Sequence, residues 1–148
     1  MGFDGRLEIK ATDIMLKARG LEPGGRVQKF VDQECIRLMA PYTPFLNGEL
    51  EKAATQSTVI GTGEVRQDTP YARYQYYGEI YGPNFPIYEG GQLAGFRSPK
   101  GQKKQPTGRP LQHNTTFHPQ AGPFWFKRMA ADHKEDILDG ARKVAGAK

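Results

Sequence analysis

The chain has 148 residues, enough for one ordinary domain, and its 18 glycines and 11 prolines indicate that much of its length is turn or loop. Hydrophobic residues make up only 37%, so we expect a single domain, residues 1–148, with a small core and extensions. The formal net charge of +5 favours an anionic partner or a solvated basic tip.

Cysteine content and hydropathy narrow the class of protein further. The single Cys35 excludes an intramolecular disulfide, and its helical context indicates a buried structural thiol. No apolar run approaches the length of a membrane span, and residues 1–4 lack the basic and apolar regions of a signal peptide. We therefore expect a soluble protein made in the cytoplasm.

The N-terminal part of the chain predicts a strand and two helices. Residues 7–11 alternate between apolar and charged side chains, which is typical of an edge strand with one buried face. Thr12 can cap a short helix that Gly20 ends. Apolar residues at helical spacing then predict the first long helix over residues 27–38, and Pro41 stops it.

Shorter elements follow, and an amphipathic helix ends the chain. The glycines of Gly61-Thr62-Gly63 predict a hairpin turn between two short strands, residues 57–60 and 64–67. The other predicted elements are a helical turn at 51–54, a short helix at 71–78, short strands around 87–88, 96 and 115–117, and a final helix that begins at Pro123.

The segment at about 82–121 is predicted to be a long basic loop. Gly, Pro, Gln and Lys are too frequent there for a core, and residues 90–131 contain no Asp or Glu. The loop could line a DNA channel by neutralising phosphates, dock on a protein partner, or remain solvated. Its basic residues are Arg97, Lys100, Lys103, Lys104 and Arg109.

Aromatic residues form two dense groups in the sequence. Five tyrosines occur within residues 71–81, more than one short helix can bury, and three consecutive aromatics stand at the start of the last helix. We predict that both groups contribute to a subunit interface. The predicted interface residues are Tyr71, Tyr74, Tyr77, Tyr81, Phe124, Trp125 and Phe126.

Candidate chemistry is sparse along the chain. Metal binding needs His, Cys or carboxylate ligands at close spacing. No Cys, Asp or Glu lies near His113 and His118 in the sequence to complete such a ligand set, and His133 falls on the apolar face of the last helix. Cys35 is far in sequence from any histidine, and no serine sits in a glycine-flanked elbow. We therefore predict no enzyme activity, no catalytic residues, no metal site and no cofactor.

Three blocks of sequence carry a resemblance to a known family. They are Pro41-Tyr42-Thr43-Pro44 with Asn47-Gly48-Glu49-Leu50, Pro70-Tyr71-Ala72-Arg73-Tyr74-Gln75-Tyr76-Tyr77-Gly78, and Gly122-Pro123-Phe124-Trp125-Phe126-Lys127-Arg128-Met129 with Asp132-His133-Lys134. In order and spacing they resemble the minor capsid proteins of long-tailed bacteriophages, which are neck or tail-completion components of the head-to-tail connector. The resemblance covers roughly residues 39–140.

The resemblance implies an α+β fold in which a small twisted antiparallel sheet packs against a long helix of the N-terminal half and a C-terminal helix. It implies a homo-oligomeric ring, expected to be a hexamer, that joins the DNA-filled capsid to the tail and lets the genome pass. Implied partners are neighbouring connector proteins, tail-terminator or tail-tube proteins, and genomic DNA contacted without sequence preference. The protein would then lie in the virion neck, after assembly in the host bacterial cytoplasm.

Two questions stay open at this point. Stopper, neck and tail-terminator rings have similar sizes, so the resemblance does not select one tier of the connector. A small basic nucleic-acid-binding module is the alternative function, favoured by the net positive charge. That alternative lacks a basic recognition helix or an aromatic sheet motif in the sequence.

Overall fold

The computed structural model of the protein describes Gly2, residues 9–45 and residues 47–146. The fold is α+β, as the resemblance implies, with five α-helices and two antiparallel two-stranded ribbons in this described part. In chain order the elements are α1 (Ile9–Ala18), α2 (Arg26–Met39), a 3₁₀ turn (Ala40–Tyr42), α3 (Glu49–Ser57), α4 (Ala72–Tyr77), β1 (Glu79–Gly82), β2 (Phe85–Glu89), β3 (Gln92–Arg97), β4 (Gln105–Pro110) and α5 (Trp125–Val144).

Helices α2 and α5 form the framework of the core. They run antiparallel, because Arg26 at the start of α2 donates from Nε to the carbonyl oxygen of Val144 at the end of α5, at 3.0 Å. Gly140 allows close approach of the two helices, since a Cβ atom there would lie 2.5 Å from Cζ of Phe30. The main buried cluster is Met39, Tyr42, Leu50, Ala54, Ala72, Trp125, Met129 and Ile137.

Both long helices are confirmed, with small differences at their ends. The predicted helix over residues 27–38 extends one residue further at each end, and the last helix begins two residues after Pro123. Cys35 is half-buried against the core, and burial raises the pKa of its thiol, which suits the predicted structural role. None of the described helices is both long and apolar enough to cross a lipid bilayer.

The predicted N-terminal strand is wrong where it can be compared with the structure. Residues 9–11 belong to α1, and residues 7 and 8 lie outside the described part of the chain. Thr12 therefore lies inside the helix instead of capping it, while Gly20 follows its end with φ of +69°, as predicted. Five alternating residues were too short a pattern to separate a strand from the first turn of a helix.

The hairpin predicted within residues 57–67 is also wrong. Ser57 ends α3, and residues 58–70 contain no strand. The glycine turn is held instead by the buried carboxylate of Asp32 in α2, which accepts hydrogen bonds from the backbone N–H groups of Gly61 at 2.7 Å and Gly63 at 3.1 Å. A charged acceptor on a rigid helix thus replaces the backbone ladder that the glycine pattern predicted.

The predicted basic loop contains most of the β structure. Strand β1 pairs with β4, and β2 pairs with β3, so residues 79–110 form two consecutive ribbons that we call the arm. Short strands at residues 87–88 and 96 are confirmed, whereas the one expected at 115–117 does not form. The arm meets the helical part of the molecule mainly through contacts of β1 with α4, and the residues of β2, β3 and β4 are almost all exposed.

Candidate functional site

The three sequence blocks that carry the family resemblance meet in the core. Tyr42 of the first block donates from its hydroxyl to Asp132 Oδ2 of the third block at 2.6 Å. The guanidinium of Arg128 lies over the Tyr42 ring, 5.4 Å from its centroid. Tyr76 of the second block packs edge-on against Trp125, with ring centroids 4.8 Å apart. The blocks therefore join α4, the 3₁₀ turn and α5 into one aromatic network.

The Tyr42 hydroxyl gives this network a pH-dependent component. Its hydrogen bond to the Asp132 carboxylate is the largest cause that raises the pKa of Tyr42 above the ordinary value of 10.0, and burial adds to it. A raised pKa means that the folded state holds the proton more tightly than the unfolded state. The resulting stabilisation is complete below about pH 10 and is lost as the pH rises through the pKa of the folded protein.

Tyr42→Phe should lower the free energy of unfolding by about 1 kcal/mol at neutral pH, since it removes one partly buried hydrogen bond. It should also reduce the fall in stability above about pH 10, because the titrating hydroxyl is gone. Denaturant unfolding followed at several pH values between 7 and about 11 measures both effects. Tyr88→Phe removes an exposed hydroxyl and is the control; identical curves for Tyr42→Phe and the unmodified protein would contradict the assignment.

The predicted interface aromatics fall into three environments. Trp125 is a core residue, 1% exposed, with its Nε1 donating to Gln67 Oε1 at 2.9 Å, so the prediction that it lies in an interface is corrected. Tyr74 and Tyr81 are half-buried against each other, with ring centroids 4.8 Å apart. The exposed members of the predicted set are Tyr71, Tyr77, Phe124 and Phe126.

Phe124 has an unusual backbone for an aromatic residue. It occupies the left-handed region with φ of 54°, immediately before α5. Its N–H donates to the carbonyl oxygen of Tyr76 at 2.8 Å, and its ring packs edge-on against Tyr76 and Tyr77. These contacts offset the cost of the conformation and leave part of the Phe124 ring at the surface.

The five basic residues of the arm differ in what their side chains contact. Lys104 donates from Nζ to the Pro83 carbonyl oxygen at 3.1 Å, to Ser98 Oγ at 2.7 Å and to Asn84 Oδ1. Lys104 thereby joins the two ribbons, so it is not the free cation that the sequence suggested. The remaining four are exposed and form no ion pair within the described residues: Arg97, Lys100, Lys103 and Arg109.

An exposed apolar face on the arm was not predicted from the sequence. Pro86 opposes Phe96 and Tyr88 opposes Leu93 across the β2–β3 ribbon, and residues 86 and 88 share a face because they are two apart on β2. We call these four residues the apolar arm face. Tyr88 and Phe96 are each 65% exposed and Leu93 is 54% exposed, so nothing in the described chain covers them.

A groove lies beside α3 and α4, close to where the arm begins. Its volume is about 430 Å³, and the Tyr71 hydroxyl donates to Glu49 Oε2 at 3.3 Å on its wall. Burial raises the pKa of Tyr71, with the Glu49 carboxylate as the second cause. The lining residues include no Lys or Arg: they are Pro44, Phe45, Asn47, Gly48, Glu49, Leu50, Tyr71, Gln75, Gln112 and Asn114.

The histidines act as structural hydrogen-bonding groups. His113 Nε2 donates to the carbonyl oxygen of Gln75 at 2.7 Å, and His118 Nδ1 donates to that of Thr43 at 2.8 Å. His133 Nδ1 lies 3.1 Å from an Asp136 carboxylate oxygen. Within the residues that the structure describes, no three His, Cys, Asp or Glu side chains are grouped as metal ligands would be.

Comparison of this chain with models of protein families, with curated proteins and with solved structures found no match.

Proposed function

We propose that the protein is a structural subunit of a larger assembly, without enzyme activity. The observation that carries this proposal is the apolar arm face, whose large side chains stand exposed on a ribbon of only two strands. A two-stranded ribbon is marginally stable in water, and exposed apolar groups of this kind mark sites of contact with other chains. The exposed aromatics at the ends of α4 and α5 add a second contact region.

Within that class, we propose the head-to-tail connector of a long-tailed bacteriophage. The support is the resemblance of the three sequence blocks, whose residues also build the aromatic network of the core. In this proposal the subunits form a ring, expected to be a hexamer, between the DNA-filled capsid and the tail. Its partners are further connector proteins and tail-terminator or tail-tube proteins, and it needs no cofactor.

Purified phage particles that contain this chain should show it as a closed ring of identical copies on the tail axis. The physical reason is that one subunit offers two different contact regions, the arm and the exposed aromatics, and repeated unlike contacts form a ring when the rotation between neighbours closes. Single-particle electron microscopy of the neck measures the copy number and the symmetry. A single copy, or copies without rotational symmetry, would contradict the proposal.

The four exposed basic residues of the arm favour one alternative, a small nucleic-acid-binding module. We expect the variant with Arg97, Lys100, Lys103 and Arg109 all changed to Ser to join tails poorly while still retaining packaged DNA, because the arm docks on protein. Infection assays and DNA content of particles measure the two effects. Lys104 stays unchanged in this variant, because it holds the ribbons together.

Two other outcomes would change this interpretation. Normal tails with loss of the genome would mean that the arm lines the DNA channel. Tight, salt-sensitive binding of duplex DNA by the purified protein, lost in the fourfold variant, would favour the free-standing module, since each phosphate contact steepens the salt dependence.

A further inference from the structure

We propose that the arm of one subunit docks in the groove beside Tyr71 of a second copy of this chain. The contact rests on the ring that the proposed function requires, and it names the two surfaces that meet. One surface is the apolar arm face, together with the four exposed basic residues elsewhere on the arm. The other is the groove of about 430 Å³ between α3, α4 and the segment that follows β4.

Charge complementarity is the first argument for this pairing. The arm contributes four exposed basic side chains that have no acidic partner within the described residues. The groove carries the Glu49 carboxylate. Among the described residues, this carboxylate accepts a hydrogen bond from the Tyr71 hydroxyl and none from a cation. Opposite charges on two patches steer their encounter and disfavour wrong partners.

Shape and polarity agree with the charges. Pro44, Phe45 and Leu50 supply an apolar lining, while Gln75 and Asn114 supply amide groups. A groove of about this size is within the range of sites that enclose ligands and large side chains, roughly 300–1,000 Å³. It can therefore accept apolar side chains of an arm, and the amides can meet polar groups of its backbone.

The exposed apolar surface of helix α1 fits the arm less well. Helix α1 exposes Ile14 and Met15, each 68% exposed. Lys17 stands in the last turn of this helix, and Arg19 follows its end. These cations would face the basic residues of an arm, and like charges at a contact are destabilising. The groove is favoured because its wall is acidic.

The arm cannot reach the groove of its own subunit. Gln112 and Asn114 of the groove come directly after β4, so the groove lies where the arm begins. The apolar arm face belongs to the β2–β3 ribbon, which lies beyond the β1–β4 ribbon. Strands rise about 3.3 Å per residue, so the tip of the β2–β3 ribbon lies roughly 20 Å from its own base. Folding back would break the pairing of β1 with β4. The occupant is therefore a neighbouring copy, in an unlike contact that can close a ring.

Disulfide cross-linking between separately labelled copies tests the contact directly. In a Cys35→Ser background, Leu93→Cys protein is mixed with Asn114→Cys protein and oxidised. We expect a covalent dimer only when both are present, and a ladder ending at the ring size when one chain carries both changes. Met15→Cys on α1 is the matched control and should not cross-link to Leu93→Cys.

Charge reversal tests which group receives the arm. At limiting protein concentration, Glu49→Lys should reduce the yield of cross-linked dimer about tenfold or more. The reason is that the new lysine repels the basic arm and weakens its affinity for the groove by at least that factor. Lys100→Glu with Lys103→Glu in the same chain should restore it. Glu135→Lys, an exposed reversal on α5, is the control and should change nothing.

The outcomes separate this inference from the proposed function. A ring in particles without the Leu93 to Asn114 cross-link would overturn the contact and leave the connector proposal standing. A cross-link in the purified protein, with no ring in particles, would support the contact and contradict the connector. Cross-linking to Met15 instead, or no rescue by the paired reversal, would overturn the groove as the docking site.

Discussion

Trp125→Ala should lower the free energy of unfolding by about 3–5 kcal/mol, the range for removing a large aromatic from a core. Trp125 is 1% exposed, packs against Tyr76, and satisfies Gln67 with its indole N–H. Denaturant unfolding followed by circular dichroism measures the loss, since the variant no longer has the single tryptophan as a fluorescent probe. We expect ring assembly to fail through this loss of stability.

The adjacent residue provides the matched control for that experiment. Phe126 is 38% exposed on the same turn of α5, so Phe126→Ala should cost much less than Trp125→Ala. If the two variants unfolded at the same denaturant concentration, the placement of Trp125 in the core network would be wrong.

Changing Tyr88, Leu93 and Phe96 together to Ser should abolish assembly while changing the free energy of unfolding only slightly. The side chains are more than half exposed, and cross-strand pairs contribute only about 0.2–1 kcal/mol each. Complete covering in an interface would remove more of their surface from water than folding does. Light scattering of the purified protein and tail joining in particles measure assembly, and denaturant unfolding measures stability.

The opposite face of the same ribbon supplies the control. Phe85→Ser with Ile87→Ser changes exposed apolar residues that point away from the apolar arm face. That variant should assemble nearly as well as the unmodified protein. Equal loss of assembly in both variants would mean that the ribbon acts through its general hydrophobicity, and normal assembly of the triple variant would remove the arm face as a contact.

The helical framework could be predicted because its signals are local and long. Apolar residues recur at helical spacing through α2 and α5, and each helix is long enough for the period to be distinguished from other patterns. The same periodicity places Trp125 in line with Met129 on the buried side of α5. The period predicts a buried Trp125, but it does not distinguish burial in the core from burial in a subunit interface.

The arm was harder to predict because its pairings join distant residues. Glu79 pairs with Pro110, and such a register has no local signature in one sequence. A local signal did exist at the tip, where Gly90-Gly91 separates β2 from β3 and both glycines take positive φ. Two such glycines are typical of a tight hairpin turn. The abundance of Gly, Pro and Lys obscured that signal.

The contacts of single polar groups were beyond prediction for a related reason. Asp32 and Lys104 gather partners from separate parts of the chain, and only the folded backbone brings those partners together. Aspartate and lysine side chains are found both in contact with the backbone and free in solvent. Residue type alone therefore could not show that Asp32 and Lys104 are anchored.

The anchoring of Lys104 bears on the entropy of association. Because its ammonium group joins the two ribbons within a single subunit, the arm already has its direction before any partner is present. Ordering a free side chain at an interface costs about 0.5–1.5 kcal/mol of binding free energy. A disordered loop of this length would incur that cost for many side chains at once. A preshaped arm avoids most of that cost, so a partner that docks on it would need only a modest contact area.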